Sequence, residues 1–365
     1  MCIRDRPITV PAAGGATVTI TGANLLGATL VTIAGTSADF TVVSDTQITA
    51  IAPAHAPGGM FDVTVTTPGG TARSSQSLAW WQSPPWPCTV IEVLPDPAVV
   101  YNPALRAEIL RTGLPWRITE SAVGIEMLLI PNGAFQMGCS ASLDYSCWDV
   151  ESPIHWVTLS KPFYIGRYEV TQAQWLQRTG SNPSTFQPPH HDLDLSRPVD
   201  LVSWNDIVED FQPGTGLRLP TEAEWEYAYR AGTTTAYHGY AAMPDGFDDD
   251  SLVWHIARYV DNSGGSTNGT TFPVGQKAAN GFGLHDMSGN AQEWCADRYG
   301  ANYYSSQPAT DPVGPSGALL HPHRVLRGGS WAADSFYLRA SYRENLAPGY
   351  VSVYEGLGFR VARTP

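Results

Sequence analysis

From Thr17 to Gly22 the chain reads Thr-Val-Thr-Ile-Thr-Gly, with apolar and polar residues in strict alternation. Successive side chains of an extended strand point to opposite faces, so such a run buries one face and wets the other. Similar runs fall at residues 28–34, 40–43, 47–52 and 61–67, separated by turn clusters such as Pro57-Gly58-Gly59 and Pro68-Gly69-Gly70. Short strands at this spacing predict a small all-β sandwich over residues 7–80.

That stretch also carries Thr19-Ile20-Thr21-Gly22-Ala23-Asn24-Leu25, Val42-Val43-Ser44-Asp45-Thr46-Gln47-Ile48 and Asp62-Val63-Thr64-Val65-Thr66-Thr67-Pro68-Gly69-Gly70. In this order the segments resemble the immunoglobulin-like IPT/TIG family. The resemblance implies a spacer or adhesion module and no chemistry of its own.

The chain has 365 residues, a length that suits two domains. Charged residues make up only 15%, and 12 Trp, 16 Tyr and 11 Phe supply a substantial aromatic core, which excludes a disordered chain. The formal net charge is −13, and Lys161 and Lys277 are the only lysines. No basic patch of the kind that binds nucleic acid is present. No apolar run reaches the roughly 18 residues of a membrane span. Met1-Cys2-Ile3-Arg4-Asp5-Arg6 lacks the apolar stretch of a signal peptide and runs straight into a strand-like segment, so it reads as a truncated start.

Residues 81–121 hold Pro84-Pro85-Trp86-Pro87 and further prolines, the composition of a semi-rigid linker. A short helix is predicted inside it, with Asn102 as N-cap, Pro103 at the first helical position and Gly113 as the stop. From about residue 120 Gly, Pro, Asn and Asp recur every few residues, so few helices are expected. Two capping boxes stand out: Thr171-Gln172-Ala173-Gln174 before Trp175 and Leu176, and Thr221-Glu222-Ala223-Glu224 before Trp225, Ala228 and Tyr229, with Gly232 ending the second helix. A loop-rich α+β domain follows over 122–363, with function carried on loops.

Six groups of motifs identify that domain. They are Pro131-Asn132-Gly133-Ala134-Phe135-Gln136-Met137-Gly138, Phe163-Tyr164-Ile165-Gly166-Arg167-Tyr168-Glu169-Val170-Thr171, and Leu217-Arg218-Leu219-Pro220-Thr221-Glu222-Ala223-Glu224-Trp225-Glu226-Tyr227-Ala228. Then come Gly283-Leu284-His285-Asp286-Met287-Ser288-Gly289-Asn290-Ala291-Gln292-Glu293-Trp294, Arg327-Gly328-Gly329-Ser330-Trp331 and Gly358-Phe359-Arg360-Val361-Ala362. Together they resemble the formylglycine-generating enzyme (sulfatase-modifying factor) family, which implies a C-type-lectin-like fold with little regular secondary structure.

The founding activity of that family oxidises a substrate cysteine with copper held by two of the enzyme's own cysteines, soft ligands that select Cu(I). The resemblance places that pair between the Gly-Gly-Ser and Gly-Phe-Arg motifs. Here no cysteine lies between Ser330 and Gly358. Formylglycine generation is therefore not expected, and neither copper nor iron is supported. Iron-dependent relatives use a histidine cluster largely from an extra helical domain. The histidines available here, His190-His191 and His321 with His323, read as solvated loop residues.

The resemblance also places a structural calcium ion at Asp286, Gly289, Ala291 and Glu293, a hard-oxygen set suited to Ca²⁺. The other reading of the two carboxylates is that they cap local backbone or pair with arginines. Cys139 and Cys147 are close enough in sequence to close a small disulfide loop, as favoured in oxidising compartments, or to stay as two free thiols. With the immunoglobulin-like module, a disulfide favours an extracellular, periplasmic or cell-surface location. Arg339, Arg343 and Arg360 read as forks that lock the fold on carboxylates such as Asp334 and Glu344.

Between the last two motifs, Trp331, Phe336, Tyr337, Tyr342, Tyr350 and Tyr354 are interleaved with Ala, Ser, Asp334, Glu344 and Asn345. Tyr among small adaptable residues is the composition of binding surfaces, because Tyr gives large rigid contacts at low entropic cost. Part of the set can equally be ordinary core. The expected function is display of a site for a peptide, protein or glycan, with an oxidative enzyme as the alternative. Variable proteins of diversity-generating retroelements, which share this lectin-like scaffold, carry their hypervariable residues in the same window, so retroelement diversification is a sharper form of the first expectation.

Overall fold

The computed structural model of the chain describes residues 3–4, 8–139, 147–187, 194–266, 268–317, 320–352 and 356–365. Two compact units emerge: residues 1–86, 90–95 and 106–117 form the first, and 87–89, 96–105 and 118–365 the second. The proline-rich segment is thus shared out between them. Its backbone is engaged within the first unit, where Gln82 N–H donates to the Gly113 carbonyl and Trp116 N–H to that of Val93.

The first unit is a sandwich of two sheets. One orders the strands Ile3–Arg4, Thr17–Gly22, Gln47–Ile51 and Phe40–Ser44; the other orders Ile8–Pro11, Gly70–Trp81, Phe61–Thr67, Leu30–Ile33 and Thr36–Ser37. The five alternating runs all form strands. The alternation has the expected effect: Val18 and Ile20 face the core with Val31, Ile33, Ile48, Val63, Val65, Leu78 and Trp80, while Thr17 and Thr19 face water. Antiparallel register pairs Thr19 with Thr49 and Val65 with Val31. The long strand Gly70–Trp81 goes beyond the sequence reading, because its Arg-Ser-Ser-Gln stretch lacks apolar alternation.

The second unit is irregular. Three antiparallel strands, Glu126–Ile130, Phe163–Gly166 and Ala362–Arg363, bring the start of this domain against its end. A second sheet orders Glu344–Leu346, Arg324–Arg327, Gln292–Arg298 and Leu357–Gly358. The hairpin Gly133–Met137 with His155–Leu159 stands apart. Both predicted capping boxes form. Thr171 accepts from Gln174 N–H at the head of the helix Gln172–Thr179, and Thr221 accepts from Glu224 N–H at the head of Glu222–Arg230. Asn102 Oδ1 accepts from Ala104 N–H and opens the helix Pro103–Arg111. At the end of Glu222–Arg230 the first left-handed residue is Ala231, one place before Gly232.

Buried Arg–Glu pairs run through the interior of this unit, Arg230 with Glu226 at 2.8 Å among them. Arg339 bonds Glu151 at 2.9 Å, Arg343 bonds Glu222 at 2.6 Å, Arg360 bonds Glu293 at 2.6 Å, and Arg327 bonds Glu226. The arginines do lock the fold, but Asp334 and Glu344 are not their partners. The true partners lie far off in sequence, and proximity along the chain carries no record of that.

Candidate ligand-binding cleft

The strand Arg324–Arg327 delivers the chain into Gly328-Gly329-Ser330-Trp331. Both glycines have positive φ, +89° and +62°. A Cβ on Gly328 would come within 3.2 Å of Met287 O and Trp225, and one on Gly329 within 2.6 Å of Leu338. Gly329 therefore lets the return segment Ser335–Leu338 lie directly over the turn, while Gly328 lets Met287 and Trp225 close on it. Beyond it, Glu344–Leu346 pairs back on Arg324–Arg327, with Leu326 opposite Glu344 and Val325 opposite Asn345. The segment between the motifs is thus folded into a wall.

That wall encloses a cavity of about 590 Å³ lined by Trp148, Tyr299, Tyr337, Tyr342, Glu344 and Asn345, with Gly329, Ser330, Ala332 and Ala333 among the small residues. The aromatic side is one connected cluster. Tyr337 and Tyr342 are 5.1 Å apart at 77°, Trp148 and Tyr342 5.5 Å apart at 71°, and Phe336 packs behind at 5.8 Å from Trp148. Edge-to-face geometry of this kind holds rings rigidly. Arg339 lies over the Phe336 ring at 3.9 Å while bonded to Glu151, so the cluster stands on a buried ion pair.

On the polar side, Glu344 Oε2 accepts from Gln292 Nε2 at 3.0 Å and from the Tyr342 hydroxyl at 3.2 Å. Burial, and next the Glu344 carboxylate, push the Tyr342 phenol far above its ordinary range, so it stays a donor. Asn345 Oδ1 bonds His323 Nδ1 at 2.6 Å. Arg343 also lines the cavity, but its guanidinium is committed to Glu222, to Val150 O and to Gly300 O.

Four expected ligand residues, Tyr337, Tyr342, Glu344 and Asn345, meet in this cleft. Phe336 supports it from behind. Trp331 does not belong to the surface: it is 2% exposed, packs edge-on against Phe186 at 5.5 Å, and accepts from Ser263 through its carbonyl. Its ring is core. Asp334 is exposed at the start of the turn Ser335–Leu338, and Tyr350 is exposed; neither lines the cavity. Tyr354 and His190-His191 lie outside the described residues.

Sequence reasoning missed Trp148, Val150, Ser266, Gln292 and Tyr299. Only Trp148 carried a signal, as the residue after Cys147. Cys139 and Cys147 are bonded to each other, and this bond fixes the segment that places Trp148 at the mouth, where it is 45% exposed. His321 and His323 sit outside the lining; His321 Nδ1 bonds Tyr299 O. The free thiol of Cys295 is fully buried, and burial pushes it well above its ordinary value, so it is not a nucleophile.

The residues expected to hold calcium occupy a different region. Glu293 Oε1 and Oε2 both accept from Arg360, and Oε2 also accepts from Trp225 Nε1 at 2.7 Å. Asp286 Oδ2 accepts from Gly275 N–H at 2.6 Å. Glu169 is buried beside them, its oxygens bonded to Asn290 Nδ2 and Ala291 N–H. Burial, with Asp286 and Glu293 adding to it, holds the Glu169 carboxyl well above the usual range; burial holds that of Asp286 at about 6. Among the described residues no group of three or more His, Cys, Asp or Glu is placed to hold a metal ion. Of the two predicted readings of these carboxylates, the arginine pair forms at Glu293.

The second unit is therefore a lectin-like scaffold whose last third shapes a cleft, and the same chain carries an immunoglobulin-like sandwich. The chain belongs to the family of the Sulfatase-modifying factor enzyme 1-like domain, which it matches over residues 118–365, and residues 6–79 match the IPT/TIG domain. It is 29% identical to a protein named chaperone protein LppX of Paenibacillus barcinonensis over 267 residues, 61% of this chain and 84% of that one. It is also 29% identical to the formylglycine-generating enzyme of Thermomonospora curvata, covering 66% of this chain and 93% of the relative. Among solved structures, Treponema denticola variable protein 1 superposes with a TM-score of 0.55 at 28% identity, over 68% of this chain and 98% of that one.

Proposed function

We propose that the protein is an exported ligand-binding member of the sulfatase-modifying factor family, and that the cleft of Trp148, Tyr337, Tyr342, Glu344 and Asn345 takes a peptide, protein or glycan. The observation that carries this reading is the cavity itself: a rigid aromatic wall facing small residues, without a cysteine between Ser330 and Gly358. A concave, mostly apolar pocket with a few polar groups is the usual form of a binding site. The likeness to a protein named as variable supports the sharper version, in which the residues between Trp331 and Gly356 are diversified by a retroelement. A neighbouring reverse-transcriptase gene with a template copy of this segment would establish that version, and absence of both would remove it. Export is supported by the Cys139–Cys147 disulfide, since such bonds persist in oxidising compartments.

The test is a peptide and glycan array probed with the full chain, followed by calorimetry on each hit. Tyr337→Ala is expected to weaken a true ligand by about tenfold or more, the scale of a central aromatic contact. A hit indifferent to Tyr337→Ala and Trp148→Ala binds elsewhere and removes this reading. The second reading, an oxidative protein- or metabolite-modifying enzyme, draws on the relative named formylglycine-generating enzyme. It requires stoichiometric copper or iron in purified protein, together with oxygen uptake on a thiol peptide.

A further inference from the structure

The rings and charges around the cleft have one sign of preference. Trp148, Tyr337 and Tyr342 meet at steep angles, between 71° and 84°, so they form a corner of π-faces and edges rather than a flat platform. The face of an aromatic ring is the negative end of its quadrupole and attracts cations, most strongly when water is excluded. Beside that corner stands Glu344, whose Oε2 holds two donors and leaves the carboxylate with acceptor capacity to spare.

Among the described residues the one basic side chain in the lining is Arg343, which is buried and bonds Glu222 at 2.6 Å, a carboxylate that Arg327 also approaches at 3.6 Å. Arg339 is likewise matched by Glu151 behind the wall. Asp149, next to Trp148, and Asp334, next to Ala333, are exposed in sequence positions that flank lining residues. Among the described residues Glu344 is the lining's carboxylate, held by Gln292 and Tyr342 and by no guanidinium. An anionic group seated beside Gln292 and Tyr342 would meet the Glu344 carboxylate, and a neutral one would leave that carboxylate desolvated without a counter-charge.

We propose that the cleft takes a cationic group of its ligand, an alkylammonium or guanidinium, against Trp148, Tyr337 and Tyr342, with Glu344 as the counter-charge. This assignment rests on the ligand-binding reading above and narrows it to the chemistry of one group.

The test uses the full chain and four capped tripeptides, Ac-Ala-X-Ala-amide with X lysine, arginine, norleucine or glutamate, titrated by calorimetry. The lysine and arginine peptides are expected to bind saturably. The norleucine peptide should be at least about tenfold weaker, a factor that corresponds to a partly desolvated cation–π contact. Glutamate should bind least. Glu344→Gln keeps an acceptor for Gln292 and Tyr342, so the wall is retained, yet it should cost the lysine peptide about tenfold and flatten the salt dependence of its affinity. Trp148→Leu should cost a similar factor. Norleucine binding as tightly as lysine, or Glu344→Gln without effect, overturns the cationic assignment while leaving the cleft as a binding site. Lack of saturation by the lysine peptide up to about 10 mM overturns it as well, because the pair is then worth less than any useful affinity. The broader reading fails separately, through array hits that ignore Trp148→Ala and Tyr337→Ala.

Discussion

At the scale of residues, two kinds of position carry the second unit. Gly328 and Gly329 are needed for space: any side chain there meets Met287, Trp225 or Leu338. Gly329→Ala is expected to destabilise the protein and to shift the cleft wall, seen as a lower denaturation midpoint and as weaker ligand binding in the same sample. The buried Arg–Glu pairs act differently. A buried pair adds little net stability, but removing one partner strands a charge and costs about 3–5 kcal/mol. Glu222→Gln leaves Arg343 in that position, so urea denaturation should show a loss of this order. Asp297 gives a pH signature. Its carboxyl is fully buried beside Glu222 and accepts from the Glu222 N–H; burial, then the Glu222 charge, lift it from 3.8 to about 8. The folded protein therefore holds a proton there that the unfolded chain has released. Its contribution is full below about pH 4 and is lost as the pH rises through about 8. Asp297→Asn, measured by urea denaturation across that window, is expected to gain stability relative to the parent as pH rises. A constant difference between the two would contradict the assignment.

At the scale of elements, the disulfide and the strand Arg324–Arg327 divide the labour of building the cleft. The strand fixes Glu344 and Asn345 by register, and the Cys139–Cys147 bond fixes Trp148 on the opposite side. A closed loop of this size is worth roughly 2–3 kcal/mol in the chain-entropy account. Replacing both cysteines with serine should cost about that much stability, and it should also weaken ligand binding through Trp148. A stability loss without a change in affinity would show that Trp148 is held by its ring contacts alone. The helix Glu222–Arg230 is a second organiser: it presents Glu222 and Glu226 to the buried arginines, and its start depends on the Thr221 cap. Thr221→Ala is expected to cost about 1 kcal/mol.

At the scale of the whole molecule, the two units have separate hydrophobic interiors, and the second concentrates its charge inside. The acidic cluster Glu169, Asp286 and Glu293 is bonded by Arg360 and by backbone and amide donors, with Arg258 also acting on Asp286. With Glu293 committed, chelation is expected to leave the thermal midpoint of the full chain unchanged. A drop of several degrees on chelation, restored by calcium, would show that Arg360 yields Glu293 to an ion. No described helix is long and apolar enough to cross a membrane.

The local choices were legible in the chain. Alternation over 17–22 and 61–67 dictated strands because period two leaves only one way to bury Val and Ile. The boxes at Thr171 and Thr221 dictated helix starts because a hydroxyl and the residue three places on satisfy the same backbone donors. The motif between Gly328 and Trp331 precedes the segment that forms the wall of the cleft, and Tyr337, Tyr342, Glu344 and Asn345 from that segment line it. Which aromatic residues face inward was not legible. Trp331 and Tyr337 have the same residue character, and only packing against Phe186 decided that the first is core. The partners of Arg339 and Arg343 lie 188 and 121 residues away, and the lining residues Trp148 and Tyr299 come from other segments. Short-range chemistry sets local geometry; contacts between distant segments are set by how the volume fills, and that is decided only when the chain is folded.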